Sequence, residues 1–398
     1  MRTIKQNIRN LTKEQFKMLR TYTINSNCLY NCALYVVNEH YKETNKYIGL
    51  KDLDKIMQAN KHYKAIPSFN AQQIIRLVDQ NFRSFFALLR KNLNGQYSGK
   101  VRSPKFRKRG ADFNLIFDNT RVYIKNNVLK LYKNLKLKFT HDIKNIKQAI
   151  IKYKGNKFVL YITYQETLEP LKEDNGKYLS NDLGLNNFAS CFSNVGHSFI
   201  VNGKPIKAYN QFYNKSKAKI QSELKLRNKK NWSKKLTMIT YKRERWIDNY
   251  LNQAVAFIVK EALSLEINTI VCGYNETWKQ EINLGKKTNQ NFVNIPYYKF
   301  KQKLQSKCEK EGLRFILREE SYTSKCSFID KETVEKHEEY QGSRIKRGLF
   351  KTSSGILCNA DINGAANILR KEFPNTEYVD GIEAFIVKPK VLKNLFNL

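Results

Sequence analysis

Negative charge is scarce in this chain: 35 Asp and Glu stand against 72 Lys and Arg over 398 residues, a formal net charge of +37. A field of that sign and size repels cationic partners and attracts polyanions, nucleic acid foremost. Histidine is scarcer still, with five in all, and none falls at a spacing typical of a zinc or histidine-metal nuclease. No run of 18 apolar residues occurs, so no membrane-spanning helix and no membrane partner are expected. The start, Met1-Arg-Thr-Ile-Lys-Gln-Asn, has no hydrophobic signal core, and a cytoplasmic protein, nucleoid-associated when bound to DNA, is the expectation. The seven cysteines, an odd number, suit reduced thiols better than a disulfide framework. Cys28 and Cys32 lie four apart in an apolar helical stretch and read as core thiols. No tandem repeat is evident, and nothing speaks to oligomeric state.

What is present fits a globular protein of two or three units, with 41% hydrophobic residues and 23 Tyr and 23 Phe able to stack on bases. From Leu11 to about Leu93 the period is helical, clearest where Ile74, Val78, Phe82, Phe85, Phe86 and Leu89 recur at spacings of three and four. The opposite face carries Gln72, Gln73, Arg76, Gln80 and Arg83, which suits either a solvated surface or a helix entering a groove, with Gln73 and Arg76 as candidate readers of DNA. The stretch Gly99-Lys-Val-Arg-Ser-Pro-Lys-Phe-Arg-Lys-Arg-Gly110 follows. Its contiguous like charges, Lys105, Arg107, Lys108 and Arg109 among them, repel one another unless a polyanion neutralises them, so they are candidate phosphate contacts.

Between 113 and 167 the period changes to two. Hairpins are expected around Asn126-Asn127 and Gly155-Asn156, building a small barrel or curled sheet. Beyond Asn175-Gly176, strands are expected at the segments ending in Asp182, at Phe188-Ala-Ser-Cys-Phe192 and at His197-Ser-Phe-Ile-Val201. A basic helical stretch runs from Tyr209 to about Leu263, then a strand over Ile267 to Gly273, a helix opened by Pro296, and a strand over Leu313 to Leu317. That order is the order of an RNase H-like α/β nuclease domain.

Three acids each close a short apolar run: Asp182 in Tyr178-Leu-Ser-Asn-Asp182, Glu276 in Ile270-Val-Cys-Gly-Tyr-Asn-Glu276, and Asp361 in Asn359-Ala-Asp361-Ile-Asn-Gly. A carboxylate mounted on the end of a rigid element suits a divalent metal. Hydrolysis of a phosphodiester needs an activated water, charge relief on the phosphorane and stabilisation of the leaving oxygen. Two Mg²⁺ ions about 4 Å apart, held by hard oxygen ligands, provide all three. The order Asp, Glu, Asp differs from the cut-and-paste transposases, in which the glutamate comes last.

At this point the residues resemble a known family. Asn181-Asp-Leu-Gly-Leu-Asn-Asn-Phe-Ala, Gly203-Lys-Pro-Ile-Lys-Ala-Tyr-Asn-Gln-Phe-Tyr-Asn, the Glu276 segment with Trp278-Lys279, and Asn359-Ala-Asp-Ile-Asn-Gly-Ala-Ala-Asn-Ile are similar to the RuvC-type motifs of transposon-encoded TnpB proteins. The stretch ending in Ser84-Phe-Phe-Ala-Leu-Leu and the loop around Pro104 resemble that family's recognition and wedge regions.

The resemblance implies an α+β multidomain fold. Residues 1–12 would give the first strand of a wedge domain, 13–95 a helical recognition domain, and 96–170 the basic loop and a wedge β-barrel. Residues 171–320 would form a RuvC-like nuclease with a helical insertion near 209–263, 321–358 a degenerate zinc-finger-like insertion, and 359–398 the last motif and tail. The implied activity is Mg²⁺-dependent, RNA-guided cutting of double-stranded DNA through an RNA–DNA heteroduplex, with Asp182, Glu276 and Asp361 as ligands of two Mg²⁺ ions and Thr277 to Asn294 as a mobile lid.

One departure stands out. Many relatives carry two CxxC pairs between the second and third acids, whereas this chain has Cys326 and, farther on, Cys358. Structural zinc wants four good ligands, so zinc is not expected. Arg344, Lys346 and Arg347 in the same stretch are candidate contacts to nucleic acid near the cut. Three other readings remain open: a compact type V CRISPR effector, an RNA-guided repressor that does not cut, and a guide-free nuclease.

Overall fold

Thr12 and Gln15 open the first long helix by bonding each other's backbone: the Gln15 amide donates to Thr12 Oγ1 at 3.1 Å, and the Thr12 amide to Gln15 Oε1 at 3.0 Å. Two orphan donors of the first turn are thereby satisfied. This helix, α1 (Lys13–Thr44), runs to Asn45, whose φ of 52° ends it in the left-handed region. A computed structural model describes residues 1–228, 231–275, 295–392 and 395 of the chain, which fall into two units, 1–167 and 168–398.

In the first unit α1 packs with α2 (Leu50–Met57), α3 (Lys61–Lys64) and α4 (Ser68–Leu93). Leu29, Ala33 and Val37 on α1 and Ala71, Ile74, Ile75, Val78 and Phe82 on α4 share one core cluster, the spacing of an apolar helical stripe. Strand β1 (Arg2–Asn7) lies at the edge of a four-stranded antiparallel sheet, in order with β7 (Lys157–Tyr164), β6 (Ile146–Lys154) and β2 (Leu115–Asp118). Strands β3 (Tyr123–Lys125), β4 (Val128–Tyr132) and β5 (Leu135–Lys138) form a second sheet. The β3–β4 turn has φ of 50° at Asn126 and 59° at Asn127, and the β6–β7 turn 55° at Gly155 and 63° at Asn156. Both are the primed turns whose twist matches a hairpin.

A closed barrel is not what these strands make. β1 and β2 each pair on one side only, and closure needs every strand paired on both edges. The two sheets instead enclose a common core, with Leu115, Phe117, Phe158, Leu160 and Ile162 from the first and Leu129, Leu131, Leu135 and Leu137 from the second.

The second unit is organised by a six-stranded mixed sheet. Its order is β12 (Arg314–Glu319), β11 (Thr269–Tyr274), β8 (Tyr178–Leu183), β9 (Asn187–Ser193), β10 (His197–Asn202) and β16 (Lys390–Leu392). β9 runs antiparallel to both β8 and β10, while β11 is parallel to β8, β12 to β11, and β16 to β10. Helices α5 (Lys204–Asn228) and α6 (Lys234–Ser264) come between β10 and β11, and α7 (Tyr297–Lys310) precedes β12. One face of the sheet is covered by α6 and α7: Leu251, Ala254, Val255, Ile258 and Ala262 meet Leu179, Ile270, Cys272, Phe300 and Leu304. Burying each of the Leu, Ile, Val and Phe side chains among these contributes roughly 1.5–3 kcal/mol. The other face takes α8 (Ala360–Glu372) and α9 (Glu383–Val387), with Ala365, Ala366, Ile368 and Leu369 against Val271, Phe192 and Ile200. Between β12 and α8 a small sheet is inserted, of β13 (Ser343–Lys346), β14 (Leu349–Lys351) and β15 (Leu357–Asn359).

Candidate active site

Strand alternation decides where the first acid faces. Ser180 Oγ donates to the Ala365 carbonyl of α8 at 2.7 Å, and Asp182, two residues on, shares that face. Its carboxylate comes up against Gly364 of α8, where an added Cβ would stand 2.9 Å from Asp182 Oδ2. Glycine at this point in a helix lets the backbone approach the acid.

Asp361 is the second residue of α8. Asn359 Oδ1 caps the helix, accepting from the amides of Asp361 at 3.0 Å and Ile362 at 3.1 Å. A carboxylate in the first turn also meets the positive end of the helix dipole. Asp361 Oδ2 accepts from Asn187 Nδ2 at 2.7 Å and Oδ1 from Arg344 Nη2 at 2.5 Å. Strand β9 and the inserted sheet therefore both orient this acid.

Burial, then the negative charges of Glu320 and Asp361, push the pKa of Asp182 well above the usual carboxylate range. The fold thus gathers Asp182 and Asp361 into one electrostatic neighbourhood. It also brings in Glu320, an acid not singled out by sequence reasoning, which sits immediately after β12. Burial and the charge of Glu319 push its pKa up to about 7, against the pull of Lys301. The available signal was the strand preceding it, since Glu320 closes a third parallel strand as Asp182 closes the first. Glu276 and the expected lid, Thr277 to Asn294, lie outside the described residues.

The remaining candidates are placed as follows. Gln73 Nε2 donates to Asp118 Oδ2 at 3.1 Å, so its amide is engaged within its own unit rather than offered to a groove; Arg76 is exposed. The basic loop is pinned to α1: Asn31 brackets Arg107 with both a donated and an accepted bond, and Asn27 Nδ2 donates to the Lys108 carbonyl at 3.0 Å. Arg107 itself lies over the Phe113 ring, 4.0 Å from its centroid, and donates to Asn27 Oδ1. Its guanidinium anchors the loop, leaving Lys105, Lys108 and Arg109 exposed. Lys346 and Arg347 are exposed beside Arg344 at the β13–β14 turn.

Among the described residues, Cys326 and Cys358 do not sit in a ligand set. Cys326 Sγ donates to the Glu335 carbonyl, and Cys358 is buried in the apolar cluster with Phe350 and Ile362. The insertion is held instead by the polar side of α8. Asn363 and Asn367 both donate to the Cys326 carbonyl, at 2.8 and 2.7 Å, Asn367 also to that of Thr323, and Arg370 to those of Ser327 and Phe328.

The donor chemistry of the acidic site fits a hard divalent cation. It offers carboxylate oxygens on β8, α8 and the end of β12, a glycine facing one of them, and a buried Glu320 oxygen with no hydrogen-bond partner. Among the described residues, no three His, Cys, Asp or Glu side chains stand close enough to hold one ion.

Residues 159–279 match a family described as a probable transposase, and residues 297–368 match the Cas12f1-like TNB domain. A TnpB-like protein, ORF457 of Acidianus two-tailed virus, is 23% identical over 78% of this chain and 74% of its own length. This chain is a TnpB-family protein. A putative transposase of Paramecium bursaria Chlorella virus 1, A625R, is likewise 23% identical, over 95% of this TnpB-family chain and 88% of its own length. Among solved structures, Cas12f1 in complex with sgRNA and target DNA has a TM-score of 0.55 at 14% identity, covering 90% of this chain and 83% of that one. The TnpB-family chain therefore shares a multidomain mixed α/β fold with Cas12f1.

Proposed function

We propose that this TnpB-family protein is an RNA-guided DNA endonuclease with a single RuvC-type site in its second unit, and that its partners are a guide RNA, double-stranded target DNA and the heteroduplex the two form. The observation that carries the reading is the meeting of Asp182 and Asp361, one from a central strand and one from a helix start, on one face of the mixed sheet. The RNase H-like order of the sheet and the charge of +37 support it, since a protein that holds a heteroduplex does so through backbone contacts on a basic surface. In this reading the first unit supplies the recognition helices and the wedge sheets.

Mg²⁺, when bound, supplies an activated water and neutralises charge on the phosphorane. Asp182 and Asp361 are the chain's own ligands for it. Asp182 is carried on β8 in the middle of the sheet, so its position is fixed by backbone pairing on both sides. Asp361 is aimed by Asn187 and by the Asn359 cap. Arg344, which contacts Asp361, and the exposed Lys346 and Arg347 offer cations for the phosphates of the strand being cut; in the first unit Lys105, Lys108 and Arg109 are the candidate phosphate contacts.

The test is cleavage of a guide-matched plasmid by Asp182→Ala. Cutting is expected to fall at least about 10³-fold, as when a group that acts only in the transition state is removed, while guide RNA binding is retained. Undiminished cutting would end the proposal. Sequencing the RNA that copurifies separates a transposon-end guide from a repeat-spacer guide.

A further inference from the structure

We propose that Glu320 is the carboxylate that joins Asp182 and Asp361 in holding the divalent metal, in the role that sequence resemblance assigns to Glu276; the inference rests on the nuclease reading above. Three observations converge on it.

The first is register. β11 pairs in parallel with β8, Cys272 opposite Asn181, and β12 pairs in parallel with β11, Gly273 opposite Arg318 and Tyr274 opposite Glu319. Paired residues of a parallel sheet share a face, so Asp182 and Gly273 lie side by side on the α8 face, with Arg318 beyond. Arg318 Nη2 reaches the Lys371 carbonyl of α8 at 2.8 Å, which fixes that face, and Glu320, two residues on, returns to it.

The second is the gap at Gly273. A Cβ there would stand 3.0 Å from Glu320 Oε2 and 2.6 Å from Ile368 Cδ1. The Glu320 carboxylate therefore lies across the end of β11, over the one residue that separates it from Asp182. Any side chain at 273 would occupy the path by which Glu320 approaches that acid.

The third is the state of the carboxylate. Glu320 Oε2 is buried and has no hydrogen-bond partner. Its neighbour Glu319 is fully engaged, accepting from Ser321 and from Lys371 at 3.0 Å. Elsewhere, buried Glu332 accepts from the amides of Ser327 and Gln341, and buried Asp79 from Tyr47 with Arg83 as ion-pair partner. Each of these three acids is satisfied by donors. Glu320 alone of these is left with a buried carboxylate oxygen that no donor meets, an arrangement that costs stability unless a cation completes it.

The experiment uses the full chain loaded with guide RNA, in wild-type, Glu320→Gln, Glu320→Asp, Glu276→Gln and Asp182→Ala forms. Mn²⁺ binding is titrated calorimetrically and cleavage of a guide-matched plasmid is followed in parallel. Glu320→Gln is expected to weaken Mn²⁺ binding at least about 10-fold and cleavage about 100-fold or more, because one ligand is gone. Its thermal midpoint without metal is expected to hold or rise, since an uncompensated buried charge is removed. Glu320→Asp, which keeps the charge on a shorter arm, is expected to recover part of the Mn²⁺ binding, and its melting curve reports the fold independently. Wild-type Mn²⁺ affinity and cutting in Glu320→Gln, with loss confined to Glu276→Gln, overturns the proposal. Full cutting by Asp182→Ala would instead overturn the nuclease reading, and the Mn²⁺ titration of Glu320→Gln would still decide the role of Glu320.

Discussion

Arg344 Nη2 lies 2.5 Å from Asp361 Oδ1. A guanidinium on the exposed β13 strand thus occupies an oxygen of the acid that opens α8, with the positive charge standing where a metal ligand would otherwise face its ion. Charge-assisted bonds of this kind are short and strong, although this pair is partly open to solvent and correspondingly screened.

Removing that competitor is expected to favour metal. Arg344→Gln should raise the Mn²⁺ affinity of RNA-free protein several-fold, equivalent to about 1 kcal/mol for a partly exposed pair. Cleavage of a guide-matched target should fall, because the proposed phosphate contact is lost at the same time. Calorimetric titration and plasmid cutting, read on the same preparation, check the two opposed effects.

Gly364 tests the approach of α8 to Asp182. An alanine in a helix interior ordinarily stabilises by roughly 0.5–1 kcal/mol over glycine. Here the added Cβ would meet Asp182 Oδ2 at 2.9 Å. Gly364→Ala is therefore expected to hold or raise the thermal midpoint while cutting at least about 10-fold more slowly. A variant with normal cleavage would show that Asp182 does not need this space.

The insertion between β12 and α8 is expected to depend on asparagine rather than on zinc. Asn367 is fully buried, donates to the Thr323 and Cys326 carbonyls and accepts from Arg370. Asn367→Ala leaves those groups buried and unpaired, a loss of about 1–3 kcal/mol. Chelation with EDTA is expected to leave the thermal midpoint unchanged, and elemental analysis to find zinc well below one ion per chain. Cys326→Ser should be tolerated far better than Asn367→Ala in the same melting experiment.

A pH dependence follows from the α6–α7 contact. Asp248 Oδ1 pairs with Lys299 at 2.8 Å and Lys303 at 3.2 Å. Burial would raise the carboxyl, but the two lysines outweigh it and hold it at about 2. Because the folded value lies below the unfolded one of about 3.9, the stabilisation is fully present above that range and is lost as pH falls through about 2. Urea unfolding should therefore separate wild type from Asp248→Asn by roughly 1–2 kcal/mol near neutral pH, with the gap closing between about pH 4 and pH 2.

Much of the second unit was legible in the chain. The helix-opening Asn359-Ala-Asp361 is local: a cap two residues before an acid, followed by small residues that permit close packing. The strand bearing Asp182 and the turns at Asn126-Asn127 and Gly155-Asn156 were equally local, because side-chain period and left-handed backbone are properties of a few adjacent residues. Charge was legible as a quantity but not as a set of contacts. Arg107 reads as one more phosphate ligand, yet its guanidinium rests on Phe113 and Asn27, and Gln73 is taken up by Asp118. Asn27 and Asp118 lie far along the chain from the side chains they hold.

By itself, then, the order of residues determined the secondary structure around the acids, the basic character of the surface and the family resemblance. Only the tertiary structure decided which acids face one another. Glu319 and Glu320 are chemically alike and adjacent, and no local signal separates them. The parallel register of β12 on β11 sets Glu319 opposite Tyr274, where it pairs with Lys371, and leaves Glu320 past the strand end, its carboxylate over Gly273. Register is fixed by burial across the whole sheet, so a single residue of shift would exchange their faces.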